Sequence, residues 1–320
     1  MSNTVEKLVL AAPRGYCAGV DRAVQTVEQA LEIHGAPVYV RKEIVHNRHV
    51  VEELTERGAI FVEEVTDVPR GAVCVFSAHG VSPEVRAGAG ARALDTIDAT
   101  CPLVTKVHRE AVNFAGRGYT IVLVGHHGHE EVEGTMGEAP ERMLLVESEE
   151  DVDALEVEDP EKVAYITQTT LAVDETSAIV ARLRERFPAI IGPKTDDICY
   201  ATTNRQAAVK RIADMCDLLL VIGSANSSNS MRLVEVSRDC GTEAHLIDNA
   251  GEVKEEWLRD RRVVGISSGA SAPENLVAEL VDFFRKRGVQ DISEFDVVRE
   301  DVRFMLPKQI RQAAAAGESR

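Results

Sequence analysis

What the sequence lacks narrows it before anything it contains. No CxxC pair occurs among its six cysteines, at positions 17, 74, 101, 199, 216 and 240. They are too sparse and irregular for the disulfide framework of a small secreted protein, and any metal they share must be assembled by folding distant segments together. Aromatic residues make up only 4%, and 36 Lys and Arg stand against 53 Asp and Glu, a net charge of −17 with no basic block. Phosphate backbones need basic patches and single strands need aromatic platforms, so no nucleic acid partner is expected. No stretch approaches the roughly 20 apolar residues of a membrane span. The opening MSNTVEKLVLAAPRG has no basic segment followed by a long apolar one, so a cytoplasmic protein with no membrane association is expected. Neither GxxxxGK[ST] nor a GxGxxG after a strand is present, which leaves the usual ATP and NAD cradles without support.

What is present is an alternation of short β-branched runs (VYV, VCVF, YTIVLV, VAYIT, LLLVI, VVGISS) with longer helical patterns. That is the signature of βαβ units, so the fold class expected is α/β with parallel sheet. A three-part phrase recurs with a period near 90 residues: a cysteine opening a helix, then two rounds of strand, polar loop and helix. The spacings track each other, with 84 residues from Cys17 to Cys101 and 98 from Cys101 to Cys199, against 83 and 100 between the loops at His46, His129 and Asn229. The expected division is a first α/β unit over 1–101 completed by the tail 287–320, a second over 102–198 and a third over 199–286. Three such units around a pseudo-threefold axis would gather their loops at one site, because parallel sheets bind ligands beyond the strand carboxyl ends.

The helical faces follow from periodicity. Val20, Val24, Val27 and Leu31 share one face after Cys17; Val104, Val107 and Ala111 share one after Cys101, with Pro102 at a favoured first position. Ala208, Ile212 and Met215 do so after Cys199. A helix N-terminus lowers a thiol's pKa toward the metal-binding thiolate. Cys74, Cys216 and Cys240 fit the commoner role of a small buried hydrophobe, with Cys216 placed in a helix. Three thiolates without a fourth do not close a structural zinc site. A 4Fe-4S cluster on three cysteines keeps one iron with an open position. Repeat position alone leaves the identity of the metal open.

The polar loops carry His46 in VHN, His79 in SAHG, His129 in GHHGHEE, Ser227, Ser228 and Asn229 in NSSN, and Ser271 in GAS. Hydroxyl, amide and imidazole donors beside helix N-termini suit a phosphate or diphosphate. His34, His108 and His245 read as surface or core residues. Glu131 in HEEVEG is either a solvated glutamate or, buried beside an anion, a general acid. Thr169 and Thr170 in TQTT are placed to relay its proton.

The segments PRGYCAGVDRA, VHNRHVV, FSAHGVS, DATCPLV, GHHGHEEVEGTMGE, TQTTLAVDET, DDICYATTNRQAAV, GSANSSNSMRL and GASAPE resemble, in order, those of the 4-hydroxy-3-methylbut-2-enyl diphosphate reductase family. The resemblance runs from about residue 9 to LPKQIR. It implies a trefoil of three α/β units around a 4Fe-4S cluster held by Cys17, Cys101 and Cys199, with one open iron. It also implies a diphosphate pocket of His46, His79, His129, Ser227, Ser228, Asn229 and Ser271, a proton-donating Glu131 and a Thr169 near the substrate hydroxyl. The activity implied is reductive removal of that hydroxyl, with ferredoxin or flavodoxin as electron donor. Relatives often carry proline where this chain has Glu130. The alternatives are a non-catalytic iron-sulfur redox protein and a zinc hydrolase built on His127 and His129; neither HExxH nor HxHxDH is present to support the latter.

Overall fold

A computed structural model describes residues 5–317. In chain order its elements are β1 (Lys7–Ala12), α1 (Ala18–His34), β2 (Val38–Arg41), α2 (Arg48–Glu56), β3 (Ala59–Val62), β4 (Val73–Phe76), α3 (Pro83–Ala91), β5 (Asp95–Asp98) and α4 (Pro102–Gly116). There follow β6 (Thr120–Val124), α5 (Glu130–Met136), β7 (Met143–Val146), α6 (Glu149–Ala154), β8 (Val163–Thr167), α7 (Val173–Arg186) and α8 (Tyr200–Ala213). The chain continues with β9 (Leu218–Ile222), α9 (Ser228–Asp239), β10 (Ala244–Ile247), β11 (Val263–Ser268), α10 (Glu274–Arg285), β12 (Asp291–Asp296) and α11 (Lys308–Gly317). The strands form three sheets, ordered β10-β9-β11-β1-β12, β3-β2-β4-β5 and β7-β6-β8. Every pairing between these strands is parallel, so the α/β class read from the alternation of strand and helix patterns holds.

The first of two compact units comprises residues 5–18, 46–50 and 200–303 and contains the five-stranded sheet. Its inner strands β1, β9 and β11 are buried on both faces, as parallel strands covered on both sides must be. Successive residues of β9 serve opposite layers. Leu218, Leu220 and Ile222 pack with Leu8, Ile266, Leu280 and Phe284. Leu219 and Val221 pack with Val9, Ala11, Val209, Ile212 and Leu233.

The second compact unit comprises residues 19–45, 51–199 and 304–317 and contains the four- and three-stranded sheets. Here β8 is buried along its whole length, and Val122, Val124, Tyr165, Ile179 and Leu183 form one layer of core. Ser82 caps α3 through its hydroxyl, with Pro83 at the first helical position, and Cys101 occupies the cap position of α4 before Pro102.

Strands β2 to β5 fall in the first expected segment and β6 to β8 in the second, but β1 lies between β11 and β12 in the sheet of the third. Its buried LVLAA run needs a neighbour on each edge. The tail supplies one of them: β12 runs parallel to β1 from Lys7↔Asp291 to Ala12↔Asp296. Its polar, half-exposed SEFD sequence suits an edge strand.

Two helical expectations are also corrected. The buried stripe of α1 is Gly19, Ala23, Thr26, Val27 and Ala30, with Val20, Val24 and Leu31 on its flanks; small residues let the helix approach its neighbours closely. Met215 and Cys216 fall beyond the end of α8, and Met215 is exposed, as is Cys240. The terminal AAAAG run is helical through Gly317, and the remaining three residues lie outside the described ones.

Candidate functional site

The polar loops all leave the carboxyl ends of strands and enter helices: His46 follows β2, His79 follows β4, His129 follows β6, Thr169 follows β8, Ser227 follows β9 and Ser271 follows β11. The three cysteines of the repeat each stand one residue before a helix, Cys17 before α1, Cys101 before α4 and Cys199 before α8. None of the three is in a disulfide, and all are partly exposed. Burial pushes the Cys74 thiol up to about 11 and the Cys216 thiol up to about 12.

In the first compact unit, α9 opens on the NSSN run, and Ser227 caps it by accepting the N–H of Ser230. The Asn229 carboxamide oxygen accepts the N–H of Ala270 at 2.8 Å, and its amide donates to Thr202 Oγ1 at 3.3 Å. Ser271 Oγ donates to the backbone oxygen of His46 at 2.9 Å and lies 3.4 Å from Ser227 Oγ. The Asn226 amide lies 3.4 Å from His46 Nδ1. Three of the expected anion-binding residues, His46, Ser227 and Ser271, are thus joined in one hydrogen-bonded set, with Asn229 holding the adjoining Ala270 and Ser228 as first residue of α9. Cys17 is tied to the same loop, its N–H donating to the oxygen of Ala270 at 3.2 Å.

Ser230 was not singled out from the sequence, although the reiterated NSSNS contains it. It is fully buried. A Cβ on Gly223 or Gly269 would come within 2.2 or 2.0 Å of its hydroxyl, so the two loops close over this one side chain only because both positions are glycine.

In the second compact unit, His129 caps α5, its Nδ1 accepting the N–H of Glu131 at 3.1 Å. That bond leaves the other ring nitrogen as the protonated, donating one. His79 and His129 lie edge to face with ring centres 5.9 Å apart, and His79 Nδ1 is 3.1 Å from Glu130 Oε2. Glu130 is the first residue of α5, a position that accepts either proline or an acid facing the helix dipole. The departure from the usual proline therefore preserves the turn and adds a partner for His79.

Of the three glutamates in HEEVEG, Glu133 is exposed and Glu131 is 2% exposed. Glu131 Oε1 accepts the Thr169 N–H at 2.6 Å and Oε2 accepts the Thr169 hydroxyl at 2.9 Å. The Thr169 carbonyl in turn accepts the N–H of Cys199 at 3.0 Å. Thr170 takes a different part, accepting from the Gln168 amide. The HxH pair is split: His127 is exposed, whereas His129 spends one nitrogen on the helix cap.

These features define an α/β protein of parallel sheets, with thiols at helix N-termini, a group of loops rich in hydroxyls and amides, and a buried carboxyl bonded to a threonine. A family model described as LytB protein matches residues 8–285. The chain belongs to this family, that of the 4-hydroxy-3-methylbut-2-enyl diphosphate reductases. It is 59% identical to the 4-hydroxy-3-methylbut-2-enyl diphosphate reductase of Nocardia farcinica, over 97% of this chain and 93% of that protein. It is 54% identical to that of Streptomyces avermitilis, over 98% and 95%. Among solved structures it is similar to the E-1-hydroxy-2-methyl-but-2-enyl-4-diphosphate reductase of Plasmodium falciparum, with a TM-score of 0.95, 39% identity, and 98% of this chain and 99% of that one covered.

Proposed function

We propose that this chain reduces (E)-4-hydroxy-3-methylbut-2-enyl diphosphate to isopentenyl diphosphate and dimethylallyl diphosphate, the last step of the non-mevalonate isoprenoid pathway. Two electrons and two protons enter, the allylic C–O bond breaks, and the hydroxyl departs as water. The observation that carries this reading is Thr169, whose hydroxyl is bonded to the buried Glu131 and whose carbonyl is bonded to the N–H of Cys199. A proton source and a thiol are thereby held by one residue.

Cys17, Cys101 and Cys199 would hold a 4Fe-4S cluster, for which three accessible thiols at helix N-termini are a fitting donor set. When bound, that cluster supplies single electrons and a Lewis-acidic open iron. The protein's own groups do the rest. His46, Ser227, Ser228, Asn229 and Ser271, with the N-terminal N–H groups of α9, and His79 and His129 donate to the diphosphate oxygens. Glu131, with Thr169 aligning it, delivers a proton to the leaving hydroxyl, and its burial keeps that proton from exchanging with bulk water.

The electrons come from ferredoxin or flavodoxin. The enzyme works in the cytoplasm, where its six cysteines, none of them in a disulfide, stay reduced; no helix among the described residues is long and apolar enough to cross a membrane. Anaerobic protein reconstituted with iron and sulfide should consume the allylic alcohol diphosphate when given a reduced one-electron dye and release both isomers. Iron-loaded protein that binds the diphosphate but never releases water would refute the reading, and zinc in place of iron would favour the hydrolase.

A further inference from the structure

Each cysteine helix carries a cation five or six residues past its cysteine, and each cation ends on the backbone leading into the next cysteine of the chain. Arg22, five after Cys17, donates through Nη1 to the oxygens of Ala99 and Thr100 at 2.8 and 3.0 Å, just before Cys101. Lys106, five after Cys101, donates to the oxygens of Thr195 and Asp196 at 2.6 and 3.0 Å and to Asp197 Oδ1 at 2.9 Å, just before Cys199. Arg205, six after Cys199, donates through Nη2 to the oxygen of Gly15 at 2.7 Å, just before Cys17. Arg22 thus serves the loop of Cys101, Lys106 that of Cys199, and Arg205 that of Cys17.

We propose that Arg22, Lys106 and Arg205 are a cyclic set of positioning residues that fix the cysteine-bearing loops for cluster binding. This rests on the reading that the three cysteines hold one cluster. A lone Arg or Lys near a carbonyl is ordinary surface chemistry. Three at matching repeat positions, one of them fully buried and also paired with Glu300 at 3.1 Å, are not. Each cation draws the preceding carbonyl oxygens toward itself, so the loop cannot turn them toward its own thiolate. Each also brings a positive charge to the loop of the next cysteine. In the Cys199 loop the restraint is doubled, since Asp197 Oδ2 accepts the Thr167 N–H at 3.0 Å.

Lys106 is the position to test, because it is partly exposed whereas Arg205 is wholly enclosed. The first measurement needs no cluster: the rate at which iodoacetamide alkylates Cys199 in metal-free protein, read peptide by peptide with exposed Cys240 as internal reference. Lys106→Met should raise the Cys199 rate about tenfold, the scale expected for losing hydrogen bonds from a charged donor, and leave Cys240 unchanged. Lys106→Arg, which keeps the charge and can reach the same oxygens, should restore most of the protection. In loaded protein, Lys106→Met should also lose iron to a chelator faster and shift the cluster's reduction to more negative potential. Arg182→Met, which removes an exposed bridge to Asp153 in the same compact unit, should change none of these. Equal Cys199 rates in Lys106→Met and unsubstituted protein would overturn the proposal, as would an equal rise in Arg182→Met. If Lys106→Met does not fold, Lys106→Gln, which also removes the charged donor, carries the test on the same Cys199 rate, and a rate equal to that of the unsubstituted protein overturns the proposal. Failure of the unsubstituted protein to bind iron while the Cys199 result holds would refute the cluster reading and leave the loop restraint standing.

Discussion

Replacing Glu131 by glutamine separates holding the site together from delivering a proton. The glutamine oxygen can keep the Thr169 N–H, and its NH2 group can donate to the Thr169 hydroxyl, which then turns from donor to acceptor. The constellation survives at a cost of about 1 kcal/mol, the net value of one weakened hydrogen bond. What glutamine cannot do is release a proton to the leaving hydroxyl. General acid catalysis contributes roughly 10²- to 10⁴-fold, so turnover should fall by that factor, or about 3–5 kcal/mol of barrier at about 1.4 kcal/mol per decade, with KM changed little because the anion-binding residues are untouched. Anaerobic turnover with a reduced one-electron dye measures kcat and KM together, and a melting curve measures the stability cost. Near-normal kcat would refute the reasoning and move proton delivery to another group, the substrate's own diphosphate first. A rise in KM equal to the fall in kcat/KM would show instead that Glu131 shapes binding.

Thr169→Val should lower both turnover and stability, because the buried Glu131 Oε2 loses its hydroxyl partner; about 1–3 kcal/mol of unfolding free energy is at stake, and Thr169→Ser should restore most of it. In Cys101→Ser the visible and Mössbauer spectra of reconstituted protein should lose the four-iron signature; unchanged spectra would remove Cys101 from the ligand set. Asn229→Ala should raise KM for the diphosphate more than it lowers kcat, since Asn229 holds the 270 loop through the Ala270 N–H, and a pure kcat effect would contradict that. Glu110 is pushed up to about 7 by burial and by the neighbouring Asp197 carboxylate. The unfolded chain ionises Glu110 at its ordinary lower value, so between the two the folded protein binds more protons and stability falls as pH rises toward about 7. Glu110→Gln should remove that part of the slope, giving a variant whose melting temperature exceeds the unsubstituted protein's above pH 7 but not in acid; parallel curves across pH 5 to 8 would contradict it.

Much of the fold was legible because the relevant forces are local. Runs such as LLLVI and VAYIT mark strands covered on both faces. The repeat places every polar loop at a strand end, and Pro102 after Cys101 marks a helix start. These patterns identify the parallel α/β class, the helix-start positions of Cys17, Cys101 and Cys199, and the loops carrying His46, His79, His129 and Ser271. Periodicity misled where packing preferred small residues over large ones. The stripe of α1 turns Gly19, Ala23 and Ala30 inward and leaves Val20 and Val24 on its flanks, which no hydrophobicity pattern favours.

The sequence by itself determined which residues stand at helix starts and strand ends, since side-chain periodicity and capping act within a few residues. Tertiary structure alone decided that Glu131 is buried while Glu133 is solvated, because burial depends on what the β8 loop brings against α5 rather than on the glutamate's own neighbours. It also decided that β1 joins β11 and β12, and that Arg22, Lys106 and Arg205 each end on a distant cysteine loop. Strand pairing and hydrogen bonds over such separations follow from which surfaces remain unsatisfied once the local elements have formed, and a linear reading does not contain that information.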